Sequence, residues 1–119
     1  MTASSEPRVP VYDFILRQGS TWVLDIQVMN PDSPSVPLVI TSYTIGCQFR
    51  ETPESTTVLA TPTAAILDAT LGKIRLSLTA AQTAALTRNF VYDVEITSPG
   101  GVVTAVLEGK GTLKKEVTR

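Results

Sequence analysis

Histidine is absent from this 119-residue chain, and cysteine and tryptophan occur once each. Without imidazole there is no side chain whose ordinary titration falls near neutral pH, so Ser-His and Cys-His nucleophile pairs and histidine metal sites are excluded. A single cysteine, Cys47, cannot close a disulfide within the chain, which argues against a small disulfide-built secreted scaffold and fits folding in a reducing cytoplasm. An excess of one charge is lacking too: ten basic and eleven acidic residues leave a net charge of -1. Nucleic-acid binders cluster Lys and Arg against phosphates. Here the basic residues run from Arg8 to Arg119 with acids between them, and the one local group, Lys110, Lys114 and Lys115, is diluted by Glu108 and Glu116. No nucleic-acid partner is expected. No segment approaches the ~20 apolar residues of a membrane helix, and Met1 to Arg8 lacks the apolar centre of a signal peptide, so a soluble protein with no membrane partner is expected.

What the chain does have is apolar residues on every second position. Trp22, Leu24, Ile26 and Val28 alternate with Val23, Asp25 and Gln27; Tyr43, Ile45, Cys47 and Phe49 alternate with Thr44, Gly46, Gln48 and Arg50. The same holds for Ile74, Leu76 and Leu78, and for Tyr92, Val94 and Ile96. That spacing puts the large side chains on one face of a pleated strand. Seventeen threonines fit as β-branched residues on the opposite faces rather than as nucleophiles.

Residues 1–9 read as a flexible N-terminal arm and 10–119 as a single domain, large enough to bury one core. Strands are expected over Val11 to Arg17, Thr21 to Met29, Tyr43 to Glu51, Thr56 to Thr61, Lys73 to Leu78 and Phe90 to Thr97. Asn30 to Pro37 carries three prolines, which lack the amide hydrogen a central strand donates, and reads as a surface loop. Leu38 to Ile40 reads as a short edge strand or as a lid on the core, and Ala64 to Asp68 as a short apolar piece. Thr79-Ala80-Ala81-Gln82 matches a capping box and predicts one short helix near residues 79–87. Ser98-Pro99-Gly100-Gly101 predicts a hairpin with a type II turn, and Gly109 and Gly111 predict a bulge or bend between strands Val102 to Glu108 and Gly111 to Val117. The expected fold is all-β, an immunoglobulin-like two-sheet sandwich with that helical connection; a partly open barrel is the alternative.

Candidate chemical residues are few. Asp93 and Glu95 lie two apart on one strand face, a spacing open to a calcium ion or an acid/base pair, yet exposed strand faces are where solvated charges belong. Trp22 shares the parity of Leu24 and Ile26 and is assigned to the core rather than to a sugar platform; Tyr43 and Tyr92 likewise, with Tyr12 and Phe14 on one shared face. Cys47, between Ile45 and Phe49, reads as a small buried hydrophobe. No glycine loop follows a strand and opens a helix, so no nucleotide and no other cofactor is expected.

The run Tyr12-Asp13-Phe14-Ile15-Leu16-Arg17-Gln18-Gly19-Ser20-Thr21-Trp22 resembles the start of small tail-associated structural proteins of bacteriophages, in particular the N-terminal domain of the baseplate upper protein family. Tyr43-Thr44 before Gln48-Phe49-Arg50, Leu78 to Thr83, and Tyr92 to Ile96 followed by Leu107-Glu108-Gly109 match as well, so the resemblance spans about Val11 to Thr118. It implies a non-enzymatic virion structural protein, made in the host cytoplasm: a tail or baseplate adaptor contacting other tail, baseplate or fibre proteins, with trimer or hexamer as the implied homo-oligomer. A carbohydrate-binding module aiding host attachment and an assembly chaperone are the alternatives. The residues expected at its interfaces are Pro7, Arg8 and Pro10 in the arm, Pro31, Asp32 and Pro34 in the loop, and Lys114 near the C-terminus.

Overall fold

The computed structural model describes residues 9–118. In chain order these form β1 (Phe14–Arg17), β2 (Trp22–Gln27), β3 (Met29–Asn30), β4 (Ser33–Pro37), β5 (Thr44–Arg50), β6 (Val58–Ala60), β7 (Thr63–Asp68), β8 (Lys73–Leu78), α1 (Ala80–Ala84), β9 (Phe90–Thr97) and β10 (Val103–Lys114). The fold is an all-β sandwich. One sheet has the order β1-β10-β9-β5-β6 and faces a second of order β2-β8-β7, while β3 and β4 make a separate two-stranded ribbon. β1 joins β10 in parallel; the other pairings are antiparallel.

The alternating residues bury as their spacing requires. Cys47, Phe49, Tyr92, Val94 and Leu107 from the first sheet meet Leu76 and Leu78 from the second, with Leu16 and Leu86 closing one end. Val28, Ile40, Ile74 and Ile96 fill the other end. Ile40 is fully buried although its segment forms no strand. Its amide donates to the Ala69 carbonyl at 2.9 Å and that of Leu38 to Val28 at 2.9 Å, so 38–40 is the lid and not an edge strand.

Every aromatic residue except Tyr43 belongs to one stacked group centred on Phe14. Its ring lies 5.1 Å from Trp22, 5.1 Å from Tyr92, 5.7 Å from Phe90 and 6.2 Å from Phe49. Phe49 on β5 and Phe90 on β9, diagonal neighbours across the two strands, stack at 4.0 Å with an 8° tilt. Close approach explains Gly109 and Gly111, to the Tyr12 backbone at the first and to a ring at the second. The bulge of β10 lies between Ala105 and Leu107 and not at the glycines, and β10 runs unbroken through both. Gly111 pairs with Phe90 and Gly109 with Tyr92. A Cβ on Gly111 would penetrate the Phe90 ring, and one on Gly109 would strike the Tyr12 carbonyl. The Tyr92 hydroxyl donates to that same carbonyl, tying β9 to the chain entering β1 across β10.

Two further expectations change. The 98–101 hairpin is not a type II turn: Gly101 N–H donates to Ser98 O and Ser98 N–H to Val102 O, each at 2.9 Å, and the positive φ of 91° falls on Gly101, not Gly100. That is a three-residue loop, a type I turn followed by a left-handed residue. Residues 30–37 are not a loop throughout, because Ser33–Pro37 pairs with β3. The ribbon stands outside both sheets, where the missing amides of Pro34 and Pro37 leave no ladder incomplete.

The capping box forms as expected, with Gln82 N–H donating to Thr79 Oγ1 at 3.2 Å and Thr79 N–H to Gln82 Oε1 at 2.8 Å. The helix ends sooner than expected, at Ala84 with Ala85 as its C-cap. Its buried residue is Thr83, the sole polar side chain among the buried described residues. Thr83 Oγ1 accepts from Gly19 N–H at 3.0 Å and donates to Ser20 O at 2.8 Å. Gln18 completes the lock: its Nε2 donates to Leu86 O at 2.8 Å and its Oε1 accepts from Glu116 N–H at 3.0 Å.

Thr83→Val keeps the shape and removes both bonds, leaving Gly19 N–H and Ser20 C=O unpartnered. It is expected to lower the unfolding free energy in urea by about 1–3 kcal/mol. Gly111→Ala is expected to cost about 1–3 kcal/mol through overpacking, whereas Gly46→Ala, whose new Cβ meets nothing within 4 Å, is expected not to destabilise. Equal effects at the two glycines would disprove the ring-clearance account.

Candidate interaction surface

The outward side chains of the larger sheet follow from its register. Gln48, Asp93 and Glu108 stand side by side across β5, β9 and β10, and Arg50 and Lys110 flank Val91 one pleat further on. With Asp13 they line a shallow concavity of about 610 Å³. Part of its charge is committed. Arg50 donates to Ser55 O and to Gln48 Oε1, each at 2.7 Å, and Asp13 Oδ1 accepts from the Lys110 amide at 2.8 Å. Asp93 and Glu95 are both exposed on this face, and a smaller hollow of about 280 Å³ above Gly46 lies between them and Thr61. Among the described residues no group of three Cys, Asp or Glu could hold a metal ion. The arrangement can offer hydrogen bonds and ion pairs of either sign to another protein's side chains.

On the outer face of the smaller sheet, Asp25 and Arg75 are cross-strand partners and form a two-point pair, with Arg75 Nε–Asp25 Oδ1 at 2.8 Å and Nη2–Oδ2 at 3.0 Å. The guanidinium hydrogen bonds hold the Asp25 carboxyl below the usual carboxylate range. Both side chains are about half exposed, so the pair fixes register more than it adds stability.

The expected interface residues are not brought together. Pro7 and Arg8 lie outside the described residues. Pro10 is exposed, and its carbonyl accepts from Glu108 N–H at 3.1 Å. Pro31, Asp32 and Pro34 are exposed on the β3–β4 ribbon, which leaves the sandwich at Val28. Lys114 is exposed at the last position of β10, opposite Arg17 and next to the turn that docks on α1. β2 runs its full length between these two ends.

Missed in the sequence were exposed apolar residues: Ile15, 70% exposed on β1, and Val102 and Val103, 65% and 57% exposed where β10 begins. Their signal was adjacency. In Phe14-Ile15-Leu16 and in Val102-Val103 two neighbouring apolar residues cannot both face inward on a strand.

No protein-family model matches this chain, and no curated protein sequence matches it. The surface therefore has to be interpreted from its own chemistry.

Cys47, Trp22 and Tyr92 belong to the interior. Trp22 packs on Phe14, and Cys47 is 4% exposed, with burial first and the Asp93 charge second pushing its thiol up to about 12. Burial likewise raises the Tyr92 phenol. An unfolded thiol ionises near 8.5, so below that pH the contribution of Cys47 to stability is complete. As pH rises from there toward 12 the unfolded chain loses its proton first, and stability falls. Urea midpoints are expected to decline through this alkaline window, less steeply for Cys47→Ala. In the native protein at neutral pH a thiol reagent is expected to leave Cys47 unmodified; rapid labelling would refute the buried assignment.

Proposed function

We propose that this chain is a non-enzymatic structural protein of a bacteriophage virion, a tail or baseplate adaptor that joins neighbouring tail or fibre proteins through protein contacts. The observation that carries the reading is the resemblance of Tyr12 to Trp22, Leu78 to Thr83 and Tyr92 to Ile96 to the baseplate upper protein family. The fold gives these segments a common physical role. Gln18, Gly19 and Ser20 bond to Thr83 and Leu86, and Tyr92 bonds to Tyr12, so the three segments interlock. A family sharing this sandwich has reason to keep all of them together.

The sandwich is read more finely as immunoglobulin-like. The order β2-β8-β7 corresponds to strands B-E-D of that fold and β10-β9-β5-β6 to G-F-C-C′. Such a scaffold offers two kinds of contact, the mixed-charge face around Asp93 and the free strand edges. A carbohydrate-binding role would use exposed rings, and among the described residues Tyr12 is the one aromatic with a largely exposed side chain.

Mass spectrometry of purified particles from a phage encoding this chain is expected to find it in stoichiometric amount with tail proteins. Its absence from particles, with presence in infected cells, would replace the adaptor by an assembly chaperone. A glycan-array signal abolished by Tyr12→Ala would replace it by a carbohydrate-binding module.

A further inference from the structure

β10 is longer than the strand that covers its outer edge. β9 pairs with it from Val103 to Gly111 on one side; on the other, β1 covers Gly111 to Lys114 and Val11 bridges to Glu108. Among the described residues none pairs with the outer edge from Val103 to Leu107. The reason lies in Pro10. The parallel ladder reaches Tyr12 N–H to Glu108 O, at 2.9 Å, and Glu108 N–H to Pro10 O. Its next step needs an amide hydrogen on residue 10, which proline lacks. Among the described residues, pairing on this side of β10 thus ends where the uncovered stretch begins.

That stretch differs from the other edges. β10 is itself bulged at Val106, beyond Val103 to Ala105, but the other edges carry more: Arg17 on β1, Asp25 on β2, Asp68 on β7, Pro34 and Pro37 on β4, while β6 has three residues and lies just before Pro62. Those are the devices by which edge strands resist pairing. Residues 102–107, Val-Val-Thr-Ala-Val-Leu, contain no charge, no proline and no lysine, and Val102 and Val103 are mostly exposed.

We propose that this edge pairs with the same edge of a second copy of the chain, antiparallel about a two-fold axis at Thr104, so that two five-stranded sheets become one. The commitment to a second copy rests on charge. In a two-fold pairing each residue faces one from its own short run, Thr104 against Thr104 and Val103 against Ala105, so a charge at 104 would meet its own copy directly and one at 103 or 105 would lie on the diagonal from its own copy, like sign near like sign in either case. This run is free of charge, while both neighbours along the strand, Glu108 and Lys110, are charged and lie outside the paired span. The inference stands independently of the virion reading.

Size-exclusion chromatography with light scattering on the full chain, over a wide concentration range, tests it. The expected mass is that of two chains. Thr104→Lys, at an exposed position, should raise the dissociation constant about tenfold or more. Amide hydrogen exchange should show Val103 and Ala105, whose amides alternate away from β9, slowed in the wild type and fast in the variant. Should Thr104→Lys lose its native circular dichroism, Val102→Glu, before the first residue of β10, serves in its place. A single-chain mass at all concentrations, a three- or six-chain mass, or a dimer that survives both substitutions would overturn the proposal. Slow exchange of Val103 and Ala105 in a monomer would also overturn it, because the edge would then be covered by the chain itself.

Discussion

The ring of Phe14 is the contact on which the rest of the sandwich depends. It lies on the edge strand β1 and reaches Trp22 on one sheet and Phe49, Phe90 and Tyr92 on the other. Fully buried rings such as Phe49 are worth about 3–5 kcal/mol each when truncated, a large share of the marginal stability of a domain this size, and half-buried Phe14 is the ring that joins them. A four-residue parallel edge strand has little hold of its own. Here it is fixed from beneath by stacked rings, from the side by the β10 ladder, and at its far end by Gln18 and Thr83.

That constraint propagates into backbone choices. The Phe90 ring passes under β10 at Gly111, and the Tyr12 carbonyl that the Tyr92 hydroxyl reaches lies against Gly109, so β10 carries glycine at both positions. The bulge falls elsewhere, at Val106, where β10 leaves the aromatic end of the core and its side chain packs toward both core clusters. The same logic makes the turn after β1 and the start of α1 structural. Gln18-Gly19-Ser20 and Thr79 to Thr83 are the two halves of one hydrogen-bonded lock between a turn and a helix. They report how the fold closes, and the surfaces that would meet a partner lie elsewhere.

Those surfaces are of two chemistries. The outer face around Gln48, Asp93 and Glu108 is polar and of mixed sign, suited to contacts that are specific and exchangeable. The edge of β10 from Val103 to Leu107 is uncharged, and none of the described residues pairs with it, because the ladder ends at Pro10. Burial in the core is what raises the Cys47 thiol and the Tyr92 phenol.

Strand positions, inward parity and the capped helix were legible in the sequence, because alternation and capping depend on residues near one another along the chain. Cys47, Trp22 and the solvated Asp93 and Glu95 could be placed for the same reason. What neighbours in sequence could not decide were features set by residues far apart: the turn type at Gly101, the purpose of Gly109 and Gly111, the pairing of a proline-bearing segment as a ribbon, and the separation of Pro31 to Pro34 from Lys114. The candidate surface fell largely in that second class. A strand's pattern tells which side chains face inward, but which strand borders which, and therefore which edge is left bare, follows only from how the sheets assemble in three dimensions.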